Sequence, residues 1–231
     1  MTEKLSYKFL NHEEAALRLL DILPIKQMQE EDWLILGLSV ESVMMLERIA
    51  KKTGLYYDFL FNEKIFSPNN PDCLIAAVSE SEEIVIQEAL RDSFDIKLDY
   101  IYGEAHRKYE EVILKKIYKY RKGVDACRFK NRSILLLDEG CESGLRALCA
   151  VKTVIKEEAK SVAFATPFIA QDTFSFLDMS IDEIFTVYQI ADFVETPFYY
   201  QDEQKLNSDV ILAILENSKN YLPFQKKQGE E

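Results

Sequence analysis

Two adjacent carboxylates precede a loop of small residues near the middle of the chain. Asp138 and Glu139 follow four aliphatic residues, and the loop itself comprises Gly140, Cys141, Glu142, Ser143 and Gly144. Such carboxylates are suited to bind sugar hydroxyls or a Mg²⁺. The N–H groups of a loop ahead of a helix N-terminus are suited to bind a phosphate. The spacing therefore indicates a ribose-phosphate site, although similar turns also carry Asp and Gly for geometry and capping alone.

The elements on either side of this loop should hold it at the edge of a sheet. Residues 132–137 have the composition of a buried parallel strand. The helix predicted after the loop has apolar residues at Leu145, Leu148, Val151, Val154 and Ile155. In an open α/β sheet, ligands bind at the carboxyl ends of the strands. The sequence contains no G-x-G-x-x-G and no G-K-[ST], so neither a Rossmann dinucleotide site nor a Walker P-loop is indicated.

Residues 134–146 resemble the phosphoribosyl pyrophosphate motif of type I phosphoribosyltransferases, in which an acidic pair follows an aliphatic strand. The likeness to one branch, the stand-alone bacterial phosphoribosyltransferase-domain proteins, extends over roughly residues 9–216. Its further segments lie, in the family's order, at 9–20, 34–38, 64–78, 162–167 and 197–202.

The resemblance implies a fold, an activity and a set of site residues. The fold would be α/β, with a mostly parallel central sheet flanked by helices and a small appended hood or flap. Asp138 and Glu139 would hold the ribose hydroxyls, and a Mg²⁺ through ribose or water. The loop 140–144 would bind the 5′-phosphate with the help of the Ser143 hydroxyl. Lys64, on the flap, would shield the pyrophosphate that leaves when ribose 5-phosphate moves to a nitrogenous base. Self-association as a homodimer is also implied.

The sequence departs from the family pattern where phosphates would bind. Leu38, Ser39, Val40 and Glu41 replace the Pro-Arg-Gly-Gly-type loop that receives pyrophosphate. Glu142 brings a carboxylate into the phosphate loop, and Arg146 replaces a threonine just inside the helix. We therefore predict a modified site that binds phosphoribosyl pyrophosphate or a nucleoside monophosphate and transfers its ribose phosphate. The alternative is a catalytically silent nucleotide-sensing or protein-interaction module on the same fold.

Composition limits the partners and the compartment. The 231 residues are 48% hydrophobic, and the formal charge is −12 with a pI near 4.8. This acidity disfavours non-specific binding to nucleic acid or to anionic membranes. No apolar run is long enough to span a bilayer, and the N-terminus lacks a signal-peptide pattern, so we expect a cytoplasmic protein. We expect one domain at 1–224, with its core at about 30–190, and a polar tail at 225–231.

Four cysteines without a C-x-x-C pair predict free thiols rather than zinc. Cys141 would have a lowered pKa if it lay at a helix N-terminus. His12 and His106 have no partner motif and are predicted to lie on the surface. Four aromatic residues fall where the family forms its acceptor pocket, and either base stacking or core packing could explain them: Phe193, Phe198, Tyr199 and Tyr200.

Hydrophobic periodicity and turn residues predict the remaining elements. The helices are expected from Asn11 to near Pro24, at 42–52 ending at Gly54, at 98–122 and at 208–217. The strands are expected at 33–38, 56–61, 161–166 and 182–188, with a hairpin at 74–78 and 83–86. Residues 62–72, rich in Asn and Pro, are predicted to form a mobile loop over the site.

Overall fold

A computed structural model describes residues 7–124, 126–202 and 206–225. Its strands are β1 (Leu34–Gly37), β2 (Tyr57–Phe59), β3 (Asn62–Ser67), β4 (Asn70–Ser79), β5 (Ile84–Ile86), β6 (Ser133–Leu137), β7 (Ser161–Ala170) and β8 (Glu183–Ile190). Five of them form a parallel sheet in the order β2-β1-β6-β7-β8. The carboxyl ends of these five strands therefore lie at one edge of the sheet, with β6 in the middle.

The helices are α1 (His12–Leu20), α2 (Ile25–Glu30), α3 (Val43–Thr53), α4 (Glu88–Ser93), α5 (Leu98–Lys108), α6 (Leu114–Arg121), α7 (Leu145–Lys156), α8 (Gln171–Leu177) and α9 (Ser208–Asn217). They cover both faces of the sheet, as two neighbouring residues of β6 show. Successive side chains of a strand point to opposite faces. Leu135 packs in one core cluster with residues of α1 and α3, whereas its neighbour Leu136 packs with residues of α7. The predicted α/β class, a mostly parallel central sheet flanked by helices, is confirmed.

The appended region is a small antiparallel sheet in the order β3-β4-β5. The hairpin predicted at 74–78 and 83–86 is confirmed as part of β4 and β5. The prediction of a mobile loop over 62–72 is wrong, because residues 62–67 form β3 and pair with β4. Its Asn and Pro residues instead reflect the turn at 68–69 and an irregular register near Phe66.

The helices agree with the sequence where they are long. The helix predicted at 98–122 is continuous from α5 through a π-helical turn at Tyr109–Ile113 to α6. Asn11 caps α1 by accepting hydrogen bonds from the amides of Glu13 and Glu14. Gly54 ends α3 in the left-handed conformation, with φ of 76°. The short helices α2, α4 and α8 were not predicted, since six or seven residues carry too little periodicity.

A buried arginine joins α6 to both sheets. Arg121 is fully buried and donates to Asp58 at 3.0 Å, to both carboxylate oxygens of Glu80, and to the carbonyl of Phe59. Burial raises the pKa of Asp58 to about 6, although the Arg121 guanidinium opposes the shift. Since Asp58 lies on β2 and Glu80 just follows β4, this ion cluster fixes the small sheet relative to the large one.

The segment around Phe9 packs against residues 199–201, and two of the four aromatic residues predicted near an acceptor pocket are buried there. Tyr199 and Tyr200 are buried beside Phe9 and Phe168, so core packing explains them, whereas Phe198 is 47% exposed. None of the described helices has the length and hydrophobicity needed to span a membrane. Residues 226–231 of the predicted polar tail lie outside the described residues, and the single-domain boundary stays a prediction.

Candidate functional site

Asp138 lies directly after β6, at the centre of the carboxyl edge of the sheet. Its amide donates to the carbonyl of Ala165 at 3.1 Å, which extends the pairing with β7 by one residue. Its side chain is only 4% exposed, and Arg146 Nη2 donates to both carboxylate oxygens at 3.1 and 2.9 Å. Burial raises the pKa of Asp138 to about 6, and the Arg146 guanidinium limits that rise. Arg146 therefore neutralises the buried member of the acidic pair.

Glu139 is contacted by residues from two distant parts of the chain, His12 and Tyr200. His12 Nε2, at the start of α1, lies 3.4 Å from a Glu139 carboxylate oxygen. The Tyr200 hydroxyl donates to the Glu139 carbonyl at 2.8 Å, and the His12 and Tyr200 rings are 4.3 Å apart. The prediction that His12 lies on the surface is wrong, since it is only 8% exposed and contacts this site. His106 is exposed, as predicted.

The first half of the predicted phosphate loop packs against the protein. A Cβ on Gly140 would lie 2.5 Å from Phe168 and 2.7 Å from Thr196, so these two side chains require a glycine here. The Cys141 amide donates to the Phe168 carbonyl at 3.0 Å, and its carbonyl accepts from the Ala170 amide. The Cys141 amide is therefore already used and is not available to an anion.

Cys141 is also not a reactive thiol of the kind that its sequence position suggested. Helix α7 begins four residues later, at Leu145. The backbone of Cys141 instead forms an isolated β-bridge with Ile169 of β7. Burial raises the pKa of the Cys141 thiol above its usual value, with nearby Asp138 adding to the effect. The condition for a lowered pKa is therefore not met, because Cys141 is buried in an apolar cluster and the helix terminus is not adjacent.

The second half of the loop is open. Glu142 and Ser143 are exposed, and their amides have no hydrogen-bond acceptor within the described part of the chain. The Glu142 carbonyl accepts from the Thr173 hydroxyl of α8, which fixes the loop from behind. Gly144 has φ of 71°, so it can turn the chain into α7 without strain. Glu142, Ser143 and the first turn of α7 thus present the amide donors of this loop.

Lys64 reaches the same place from the small sheet. It lies on β3 opposite Ala77 and is partly buried. Burial lowers its pKa, and nearby Arg146 adds to that effect. Lys64 has no ion-pair partner among the described residues, whereas Glu63 beside it pairs with Lys116. Lys64 is therefore a rigidly mounted cation rather than part of a mobile loop.

The residues predicted to replace the pyrophosphate loop connect β1 to α3. The Leu38 amide donates to the Leu137 carbonyl at 2.9 Å, and the Ser42 hydroxyl donates to the Ser39 carbonyl at 2.7 Å. Leu38, Ser39 and Glu41 line the cleft, but Val40 is buried in the core and does not. The Leu38 amide and the Ser39 carbonyl are thus hydrogen-bonded within the protein, whereas Glu41 is exposed.

One cleft joins these parts. Its inner part contacts Lys64, Asp138, Arg146, Thr196 and all five loop residues from Gly140 to Gly144. Its outer part contacts Leu38, Ser39, Glu41 and Glu139, and shares Lys64, Glu142, Arg146 and Thr196 with the inner part. The structure therefore places all the predicted site residues except Val40 around one cleft.

The sequence pattern missed two residues of this cleft or of its wall, His12 and Thr196, which come from distant parts of the chain. Arg146 and Tyr200 were singled out, but the pairing of Arg146 with Asp138 and the contact of Tyr200 with Glu139 were not predicted.

The whole structure resembles that of TT1426 from Thermus thermophilus, at 24% identity and a TM-score of 0.73, over 90% of this chain and 97% of that one. At this identity the likeness shows the fold alone. Weaker likenesses are found to a hypoxanthine phosphoribosyltransferase from Staphylococcus aureus (12% identity, TM-score 0.45, 80% and 77% covered) and to a hypothetical protein from Neisseria gonorrhoeae with bound ppGpp (8%, 0.46, 89% and 95%). Likenesses this weak show nothing about the site. No protein-family model and no curated protein sequence matches the chain.

Proposed function

We propose that the cleft binds a ribose 5-phosphate ester, either phosphoribosyl pyrophosphate or a nucleoside monophosphate. The observation that supports this most is the meeting of Asp138, Glu139, Lys64 and the open loop amides in one cleft at the carboxyl ends of parallel strands. A phosphorylated sugar needs carboxylates that accept hydrogen bonds from its hydroxyls, and amide donors and a cation that bind its phosphate.

Each group has a distinct role in this proposal. The amides of Glu142 and Ser143, with the Ser143 hydroxyl, hold the 5′-phosphate at the start of α7. Glu139 accepts hydrogen bonds from ribose hydroxyls. His12 lies 3.4 Å from one oxygen of its carboxylate, which leaves the other oxygen for the sugar. Asp138 shares its oxygens between Arg146 and the sugar. Lys64 neutralises the second anionic group of the ligand from the opposite wall.

The residues present fit a Mg²⁺ only as a companion of a polyphosphate ligand. Among the described residues no three His, Cys, Asp or Glu side chains are placed to hold an ion together. Mg²⁺ usually keeps several waters and binds through one or two carboxylates plus substrate phosphates. Glu139, with Asp138 behind it, would hold such an ion and help to neutralise the phosphate charge.

Two outcomes of binding are proposed, and the first is transfer of ribose 5-phosphate to a nitrogenous base with release of pyrophosphate. The second is a nucleotide-sensing or protein-interaction module without turnover. The Leu38–Glu41 segment supports the second, since it offers no arginine, no glycine and a committed Leu38 amide where pyrophosphate would leave.

Calorimetric titration with phosphoribosyl pyrophosphate and with ribose 5-phosphate tests the binding step. Lys64→Gln should weaken both by about tenfold or more, because a charge-assisted hydrogen bond contributes about 1.5–3 kcal/mol. Lys130→Gln is the matched control, since that lysine is 63% exposed and lies near the opposite ends of the strands. Flat titrations with both ligands would exclude the proposed site.

Pyrophosphate release with a panel of bases then separates the two outcomes. Release that disappears in Glu139→Gln supports transfer. Binding without release across the panel supports the silent module. Loss of ligand-induced thermal stabilisation in Asp138→Asn/Glu139→Gln should accompany both transfer and nucleotide sensing, because only a ligand bound to the native state stabilises it. A module that acts only through protein contacts has no such stabilisation to lose.

A further inference from the structure

The outer part of the cleft has an excess of carboxylates. Over the whole cleft, six acidic side chains face four basic ones. Two ion pairs, Asp138 with Arg146 and Glu63 with Lys116, account for four of these groups. Of the remaining groups, Glu41 and Glu195 lie in the outer part and are exposed, without an ion-pair partner among the described residues. Lys64 and Lys108 are the cations left to balance four carboxylates.

Two buried oxygens in the same part of the cleft lack hydrogen-bond partners. Ser39 is 7% exposed and Asn62 is 4% exposed, and both line the outer part. Neither Ser39 Oγ nor Asn62 Oδ1 has a partner among the described residues. Asn62 Nδ2 donates to the Leu60 carbonyl at 3.1 Å, which leaves its acceptor oxygen as the unpaired atom. A buried polar group without a partner is costly, so these oxygens indicate that this part of the cleft lacks a hydrogen-bond donor.

We propose that the outer part of the cleft binds a protonated primary amine, carried by the ligand or by a second substrate. An ammonium has three N–H donors and no acceptor, which matches two unpaired oxygens and the nearby Glu41 carboxylate. A pyrophosphate would instead face Glu41 and Glu195 and find the Leu38 amide already used. The pairing of this amine with a phosphorylated sugar rests on the proposed function, whereas the amine subsite itself does not.

The sign of one substitution distinguishes a cation subsite from an anion subsite. Glu41→Gln removes one negative charge from an exposed side chain and keeps its size. It should weaken amine binding by about fivefold, because an exposed charge pair contributes about 1 kcal/mol. If the outer part of the cleft were instead an anion subsite, the same substitution should strengthen pyrophosphate binding by a similar factor.

The experiment is calorimetric titration of the full chain with 1,3-diaminopropane, with inorganic pyrophosphate and with MgCl₂, each without sugar phosphate. We expect diaminopropane to bind and to be weakened in Glu41→Gln but not in Glu30→Gln, an exposed glutamate on α2. Ser39→Ala should also weaken it while leaving the free energy of unfolding unchanged or raised, since the substitution removes an unpaired buried hydroxyl.

Three results would overturn the amine subsite. The first is diaminopropane binding that is absent or is weakened equally by Glu41→Gln and Glu30→Gln. The second is pyrophosphate binding that Glu41→Gln strengthens. The third is a Mg²⁺ isotherm, sensitive to Glu41→Gln, with no response to diaminopropane. A flat ribose 5-phosphate titration beside a diaminopropane isotherm would remove the proposed function and leave the amine subsite.

Discussion

Replacing Arg146 by methionine should destabilise the protein in a pH-dependent way. The substitution keeps much of the apolar stem but removes the guanidinium that contacts both oxygens of Asp138. A buried carboxylate without its partner is unfavourable and takes up a proton instead. The cost of the substitution is therefore limited by the cost of that protonation.

The magnitude follows from the pKa of Asp138. With a native pKa of about 6, keeping the carboxyl protonated at pH 7.5 costs about 2 kcal/mol, because each pH unit above the pKa contributes about 1.4 kcal/mol. At pH 5 the carboxyl is protonated in both proteins, so this cost falls to near zero. Since the native pKa lies above the usual value of 3.8, the free energy of unfolding falls between about pH 4 and 6. In the variant the pKa is higher still, so the fall continues to higher pH.

Urea unfolding at pH 5 and pH 7.5 measures the effect. Arg132→Met is the matched control, because Arg132 pairs with the exposed Asp32 and should lose less than about 1 kcal/mol at either pH. The double variant Arg146→Met/Asp138→Asn should lose stability equally at both pH values. An Arg146→Met loss that is the same at pH 5 and pH 7.5 would refute a charge-based role for this contact.

Three further predictions concern the glycine, the acid and the ion cluster. Gly140→Ala should lower the free energy of unfolding by about 1–3 kcal/mol and weaken ribose 5-phosphate, because its Cβ would overlap Phe168; urea unfolding and calorimetry check this. The preference for ribose 5-phosphate over 2-deoxyribose 5-phosphate should shrink as the pH falls through about 6, where Asp138 gains a proton. The quantity to measure is the ratio of the two affinities, because both ligands carry the same phosphate and its titration cancels. Arg121→Met should cost about 3–5 kcal/mol in urea unfolding, because it leaves Asp58 and Glu80 buried without their cation.

Each of these has a contrary result. Gly103→Ala has no neighbour within 4 Å and should be neutral or stabilising, so an equal loss there would contradict the overlap at Gly140. A ligand preference that is constant from pH 5 to pH 8 would contradict hydroxyl binding by Asp138. An Arg121→Met loss under about 1 kcal/mol would show that water reaches the cluster.

Local sequence patterns predicted the parts of the fold that are themselves local. The aliphatic run before Asp138 is a buried strand, and α9 has the predicted bounds Ser208–Asn217, because hydrophobic period and capping residues determine both. The strand at 62–67 was missed, since Asn and Pro in the following turn obscured it and its pairing with β4 is a tertiary effect.

Most residues that line the candidate cleft were predictable from the sequence, but their contacts with one another were not. The acidic pair and the loop could be read from their order, because a strand, a turn and a helix are consecutive. The pairing of Arg146 with Asp138 depends on side-chain direction within the cleft, and the contact of His12 with Glu139 spans most of the chain. The burial of Cys141 likewise follows from its bridge to Ile169, which no local motif indicates.

The contacts of His12 and Tyr200 with Glu139 have a consequence for how ligand preference can vary. His12 begins α1 and Tyr200 follows the turn at Thr196–Tyr199, so two segments far apart in sequence converge on one residue of the acidic pair. A substitution in either segment changes the surroundings of Glu139 and leaves the acidic pair and its loop intact. Differences in ligand preference should therefore be sought in these two distant segments as well as in residues 138–146.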